Sequence, residues 1–466
     1  MGAYLMTLAL EALAFAVFVA LAAVVPYVRR KRGYWTSRGV TVATGARALA
    51  ATVPGIRLDE KSLARYRDKA AAATLVGLHD AGRPCALACD VRVAAAALGN
   101  DGFIEPLGRT GAGSLIPRVV NAETVTAMLP AMCEAVTELI TSLEALANLR
   151  QTIGPWTYAK KCSITTVATC VYGQPMIDSR VNAFAEQCDK ALQRPAVTDY
   201  FTTYDLSSIS GRGASSTDFK QLLREAAAAD QNESSDVTDK QVRQDMFEFI
   251  TGAIEPTAAL VTAALYVLSR DQNIQDKLRE HLDVVLDKHQ QRITIDQLDR
   301  LTYLENVLEE TLRKYPLVAV VRRLTTKSYV VPDGGQSVLE PGTLVAVPVH
   351  AFHHDQTHFT APEMFLPDRF PGQLSSAYMP YGSGLRSHIG KHFVAVEVKL
   401  IIAMLVSRYA IHVDSDEPGR SPDPFDRTSF AGVRVKLTNH NGVKEPAMYE
   451  SLRKCHRGNK KFLLFR

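Results

Sequence analysis

The stretch Tyr381-Gly382-Ser383-Gly384-Leu385-Arg386-Ser387-His388-Ile389-Gly390-Lys391-His392-Phe393-Val394-Ala395-Val396-Glu397 decides how this chain of 466 residues is read. Three glycines, Gly382, Gly384 and Gly390, punctuate its first ten residues. Lacking a Cβ, glycine lets a backbone pass close to a bulky neighbour. From Gly390 the sequence turns apolar, and the pattern predicts a strong helix to about Arg408. The loop therefore delivers Arg386 and His388 just before a helix start. His392 falls within the helix start and reads as a solvated side chain.

Two motifs precede this loop. Glu310-Thr311-Leu312-Arg313 lies on a helix predicted from Tyr303 to Lys314, which stops before Pro316 as a following proline requires. Its i, i+3 spacing puts both charges on one face, where they can pair. Pro362-Glu363-Met364-Phe365-Leu366-Pro367-Asp368-Arg369-Phe370 places an arginine in a proline-braced turn. Between Arg322 and Val347, β-branched residues and the turn signals Pro332-Asp333-Gly334-Gly335 and Pro341-Gly342 predict a small sheet. Further upstream, a helical pattern from Val237 to about Ser269 is long enough to cross a whole domain. An amphipathic helix follows over Gln272 to Lys288, with Glu280, Asp283 and Asp287 on a solvated face. Ala226 to Ala229 sits inside another helix, closed by the polar loop Gln231 to Ser235. The fold class is mainly α with a small β region.

In this order and spacing, the three motifs resemble those of the cytochrome P450 family. The first resembles its ExxR pair, the second its PERF-type turn and the third its haem-binding loop, FxxGxRxCxG. The resemblance implies a buried charge triad of Glu310, Arg313 and Arg369, a registry device more than a source of raw stability. It implies b-type haem as cofactor, with Arg386 and Arg323 (or Arg322) on its propionates. Arg118, Gly384 and Tyr381 are the other cofactor-binding positions it implies. Gly252-Ala253-Ile254-Glu255-Pro256-Thr257 resembles the family's oxygen-activating segment, AGx(D/E)T(T/S), and makes Glu255 and Thr257 the catalytic candidates.

The sequence departs from the pattern at the position that matters most. His388 stands where the family has the cysteine whose thiolate pushes electron density onto the iron. No cysteine lies between Cys188 and Cys455. Imidazole is itself a haem ligand, and the positive end of the following helix favours its neutral, metal-binding form. Against this, imidazole reaches further than a thiolate sulfur, so haem or loop must shift. The other reading makes His388 a polar residue in a haem-free or weakly loaded pocket. Pro256 occupies the place of the relay threonine and has no hydroxyl. Thr257 is one residue along, about 100° around the helix. Pro256 also lacks a backbone donor and is expected to kink the helix. The tryptophan of the family's WxxxR helix is replaced by Ser114, four residues before Arg118, and Asn100 to Arg118 is short.

At the N-terminus, Tyr4 to Val28 is apolar apart from Glu11 and is followed by Arg29, Arg30, Lys31 and Arg32. A helix needs about 20 apolar residues to cross a bilayer, and positive flanks stay cytosolic. A signal peptide would carry a basic stretch before a shorter apolar run. The expected organisation is a membrane anchor over residues 1–30, a linker over 31–54 and a catalytic domain over 55–466. The resemblance, including Tyr34-Trp35 and Arg38-Gly39, is to animal microsomal members. It implies the endoplasmic reticulum membrane with the catalytic domain in the cytosol, where Asn232-Glu233-Ser234 stays unglycosylated.

With 47% hydrophobic residues the chain can bury a large core. Its net charge of +4 is small, and the basic residues are scattered. Without a basic stripe interleaved with aromatics, nucleic acid is not an expected partner. The seven cysteines are irregularly spaced, and no second pair joins Cys85 and Cys89 in a zinc site. They read as reduced, buried thiols.

Three functions are in contention. The family implies a microsomal monooxygenase of apolar small molecules, fed electrons from NADPH through a membrane-bound reductase. Lys391, Lys399 and Arg386 would then contribute to a basic docking face, and the apolar run Leu317 to Val321 would face the substrate. A His-ligated haem enzyme would instead carry out peroxidase-like, isomerase or dehydratase chemistry. The third function is a catalytically dead, haem-poor member. Losing the electronic push and the relay hydroxyl each raises the barrier to oxygen activation.

Overall fold

In the computed structural model the long apolar pattern forms one 36-residue helix, Ser235–Arg270. Within it, Gln244–Arg270 is long and apolar enough to cross a bilayer, but 72% of its most apolar window is buried inside protein. It is a core helix. The structure describes residues 24–70, 72–99, 102–104, 115–172, 219–228, 235–286, 293–332, 337–370, 375–382, 388, 390–414 and 419–440, with 15, 18, 22, 184 and 186. Gly384, Arg386 and Asp287, the segment 105–114 and the C-terminal tail from residue 441 lie outside this set, as does the loop before Ser235.

The described chain divides into two units. One comprises residues 110–317, 360–374 and 387–466 and is mainly helical. Here the long helix packs against helices Pro155–Tyr172, Thr302–Lys314 and Lys391–Arg408. Leu260, Val261, Ala264 and Leu268 are shut off from solvent along its length. Helix Gln272–Val285 follows at once, its N-cap Asp271 accepting from the backbone N–H of Asn273 and Ile274. Glu280 and Asp283 stand on its exposed side. Strands Tyr409–Val413, Val435–Asn439 and Thr152–Ile153 form a small antiparallel sheet.

The other unit comprises residues 1–109, 318–359 and 375–386. Its six-stranded sheet runs in the order Thr41–Val42, Leu75–Asp80, Arg83–Ala88, Leu344–Val347, Val321–Thr325, Phe103–Ile104. The β-branched signal after Arg322 thus yields two adjacent antiparallel strands, paired from Val321↔Val347 to Leu324↔Leu344.

Two expectations change. The stretch expected as a linker is part of this second unit. Trp35 is fully buried and donates its indole N–H to the Leu78 carbonyl at 2.7 Å. A Cβ on Gly77 would lie 2.3 Å from the Trp35 ring, so only glycine leaves room for it. Thr41 and Val42 pair in parallel with Val76 and Gly77. The sequence around Trp35 is polar and glycine-containing, and its burial depends on the distant strand Leu75–Asp80. Lys399, expected on a docking face, is largely buried and lies 3.8 Å from Asp299 and 3.5 Å from Glu305. Lys391 and His392 are exposed. Cys85, Cys89, Cys162 and Cys170 are free and buried, and burial pushes the Cys85 and Cys89 thiols up to about 12, which leaves them unreactive.

Candidate functional site

The ExxR helix and the proline-braced turn meet as a buried ion-pair cluster. Arg313 Nε donates to Glu310 at 2.7 Å, and Arg369 Nε donates to the other carboxylate oxygen at 3.0 Å. The Leu366 N–H donates to that same oxygen at 2.9 Å. Arg313 further donates to the Pro362 and Met364 carbonyls. Glu310 and Arg313 are fully buried. Each charged atom has a partner, which is what makes such burial tolerable, and the turn is tied to the helix by backbone as well as side-chain bonds.

His388 faces the long helix. A Cβ placed on Gly252 would lie 3.8 Å from its Cε1 and 3.9 Å from its Nε2. A Cβ on Gly390 would lie 3.1 Å from the Gly252 carbonyl oxygen and 3.4 Å from the His388 ring. Gly390 therefore lies close against the helix backbone, and the His388 ring stands about a methyl group away from it. The helix continues through Pro256 without interruption. Proline has no N–H, so the Gly252 carbonyl, four residues earlier, loses its helical donor at the place where Gly390 closes on it. Burial pushes the His388 pKa down to about 4, helped by the nearby Arg427 charge, so the imidazole is neutral at ordinary pH.

This arrangement does not fit a porphyrin between His388 and the long helix. An iron–nitrogen bond of about 2 Å plus a van der Waals layer of about 3.5 Å needs more than about 5 Å between the ring nitrogen and helix atoms. The space between the ring and Gly252 takes one methyl carbon at ordinary contact distance, 3.9 Å from Nε2, which is short of that requirement.

The two catalytic candidates point to different partners. Glu255 accepts from Arg427 at 2.6 Å, and Arg427 also donates to the Leu317 carbonyl at 3.1 Å. Thr257 is buried and donates to Glu397 at 2.9 Å. Glu397, at the centre of helix Lys391–Arg408, is fully buried and also accepts from Ser163 at 2.9 Å. Burial pushes its carboxyl up to about 7, against the lowering effect of the hydroxyls of Ser163, Thr166 and Thr257. A small recess opens beside the Glu255–Arg427 pair, walled by Trp156, Ala259, Pro316, Leu317, Pro424 and Phe430. Of the apolar run expected to face the substrate, Leu317 lines this recess, whereas Ala319 and Val320 are buried and Val318 is exposed.

Arg323 is buried in its strand and donates to the Arg322 carbonyl at 3.1 Å. Arg322 is engaged by Glu60 at 3.5 Å and Asp80 at 3.9 Å and donates to the Leu58 carbonyl. Tyr381 is partly buried and Arg118 is exposed. Sequence reasoning missed Glu397, Arg427 and Trp156 as site residues. Glu397 carried a usable signal, an acid set inside the apolar run that begins at Phe393. Arg427 and Trp156 carried none, because their roles arise from contacts with residues far along the chain.

The family model for cytochrome P450 matches residues 177–437, more than half of the chain. Among curated proteins, cytochrome P450 6a8 of Drosophila melanogaster is 34% identical over 204 residues, 42% of this chain and 40% of that protein. Probable cytochrome P450 6a13 of the same fly is 30% identical over 268 residues, 55% of this chain and 53% of that protein. Cytochrome P450 6j1 of Blattella germanica is 32% identical over 203 residues, covering 42% and 40%. The chain thus spans about half the length of the curated relatives it matches. The matched model takes in the buried triad, the long helix and the loop that carries His388, and its proteins are b-type haem proteins: the chain belongs to the cytochrome P450 family.

Proposed function

We propose that this chain is a membrane-anchored P450-fold protein that binds apolar small molecules and does not carry out thiolate-driven monooxygenation. The close approach of His388 and Gly390 to Gly252 supports this reading, because it narrows the place between loop and long helix where the family's haem would lie. Pro256, at the relay position, and the engagement of Thr257 by Glu397 support it from the oxygen-activation side. Monooxygenation fed by NADPH through a reductase is the family's activity. Here both of its electronic requirements, the thiolate and the relay hydroxyl, are replaced.

Residues 24–36 are helical, with Phe15, Phe18, Val24 and Val25 exposed. Apolar side chains on the outside of a helix, followed by the basic run from Arg29 to Arg32, support an anchor over residues 1–30 in the endoplasmic reticulum membrane. The folded remainder then lies in the cytosol.

The test is the absorption spectrum of the full chain, purified in detergent with haem supplied, reduced and treated with carbon monoxide. We expect no Soret band. A thiolate-type band would overturn the proposal. The neutral imidazole of His388 favours one other reading, a His-ligated haem enzyme of peroxidase-like, isomerase or dehydratase type, for which loop and helix must part. An imidazole-type band would establish that reading in place of the first.

A further inference from the structure

We propose that His350 and His354 form a surface site for one divalent transition-metal ion of the zinc or copper type, bound through the two imidazoles. The pair lies in the unit that carries the six-stranded sheet. It shares no residue with the charge triad, the His388 loop or the recess, and it does not depend on the function proposed above.

Val349–His353 is a short helix, and its turn runs on into His354, whose backbone N–H donates to the His350 carbonyl at 3.1 Å. Four residues make a little more than one helical turn, so the two side chains stand on one face. Their rings lie face to face, 4.0 Å apart between centroids and 16° from parallel. Both residues are partly exposed, whereas Ala351, Phe352 and His353 between them are buried and fix the turn beneath the pair. The His354 ring is held in one tautomer. Its Nδ1 lies 2.9 Å from the His350 carbonyl oxygen, which can only accept. Nδ1 therefore carries the hydrogen, and the neutral ring has its lone pair on Nε2. A carbonyl behind one imidazole nitrogen is the arrangement that orients metal-binding histidines and makes the other nitrogen more basic. His353 gives the contrast within the same turn. It is fully buried, and its Nε2 accepts from the Met379 N–H at 3.0 Å, so it serves the core.

The ligand atoms select the ion. Imidazole nitrogens suit Zn2+, Cu2+ and Ni2+, whereas Mg2+ and Ca2+ take oxygen. Metal–nitrogen bonds of about 2.0–2.1 Å set two nitrogens on one ion about 3–3.4 Å apart. Rings already stacked one above the other reach that spacing by turning about their side-chain bonds, with the backbone unchanged. Among the described residues no third His, Cys, Asp or Glu completes a cluster here. The remaining positions go to water or to a small exogenous ligand, so the ion is exchangeable, unlike one closed in by four protein ligands.

The test uses the full-length protein in detergent, with zinc chloride and copper chloride as probes in a buffer free of imidazole. The chain has 12 histidines, so variants decide the site and stoichiometry does not. Zinc affinity is read by competition with a chromophoric chelator. Losing an outer partner of a metal ligand costs about 10–100-fold in affinity, and losing the ligand itself costs no less. His350→Gln and His354→Gln should therefore each weaken zinc binding at least about tenfold. With copper below one equivalent, electron paramagnetic resonance should show coupling to two imidazole nitrogens in the parent and lose that pattern in either variant. Unchanged zinc affinity in both variants, or one copper spectrum common to parent and variants, would overturn the proposal. Should a variant fail to fold by circular dichroism, carbethoxylation of the parent with diethyl pyrocarbonate, mapped by mass spectrometry with and without zinc, decides instead. Zinc should protect His350 and His354, and protection confined to other histidines overturns the assignment.

Discussion

Thr257 on the long helix and Glu397 on helix Lys391–Arg408 are joined by a 2.9 Å hydrogen bond, with Ser163 of a third helix donating to the same carboxyl oxygen. Three helices thus share one carboxyl group. Burial raises its pKa from 4.5 to about 7. A raised carboxyl pKa means the folded state holds a proton that the unfolded state has released. Its contribution to stability is complete below about 4.5 and is lost as pH rises to about 7. Glu397→Gln keeps an uncharged group of the same size. We expect the melting temperature of this variant to vary less between those two pH values than that of the parent. A parallel pH profile in parent and variant would refute the assignment.

Gly390→Ala and Gly252→Ala should behave differently. The first puts a Cβ 3.1 Å from a helix carbonyl, which is backbone and yields little, so a loss of about 1–2 kcal/mol is expected. The second meets only ordinary contacts with the His388 ring and removes a helix glycine, so it should be neutral or up to about 1 kcal/mol more stable. Denaturant unfolding of the two variants measures the difference. A gap wide enough for a porphyrin would make the two substitutions equally harmless to the loop contact.

His388→Cys restores the family's ligand type but leaves Gly390 seated on Gly252. We expect no thiolate-type Soret band after haem supplementation and reduction under carbon monoxide. Its appearance would show that the loop lifts readily and that the imidazole alone kept the place closed.

Glu310→Ala strands two arginines in a site where Arg313 is fully buried and Arg369 nearly so. A loss of about 3–5 kcal/mol is expected. A thermal melt would show it, and a shift typical of an exposed pair would argue against the cluster as the lock between the ExxR helix and its turn.

Gly77→Ala places a methyl group inside the Trp35 ring position. Overpacking of this kind costs about 1–3 kcal/mol, and the Trp35 emission should shift to the red as the indole leaves the Leu78 carbonyl. An unchanged spectrum would mean the ring is held less tightly than its 2.7 Å hydrogen bond implies.

What could be read from residue order was local. The end of the ExxR helix followed from Pro316, and helix Lys391–Arg408 from its apolar run. The pairing of Glu310 with Arg313 followed from one helical turn. Arg369 was reached through the family resemblance, since 59 residues separate it from Glu310. Other relations lay beyond any local rule. Glu255 and Arg427 are 172 residues apart, and Thr257 and Glu397 are 140 apart. Nothing in Tyr34-Trp35-Thr36 announces a buried ring, because the cavity that receives it is made by the absence of a side chain at Gly77. The closure at His388 was similarly hidden, for it needs a loop glycine, a helix glycine and a proline to coincide in space.

The backbone passes from one unit to the other at residues 109–110, 317–318, 359–360, 374–375 and 386–387. No single cut can therefore free either unit as an independent polypeptide, and deleting any long internal stretch that spans one of these junctions injures both. Dissecting this protein by truncation would yield fragments of two incomplete bodies, so point substitutions in the intact chain are the instrument suited to it.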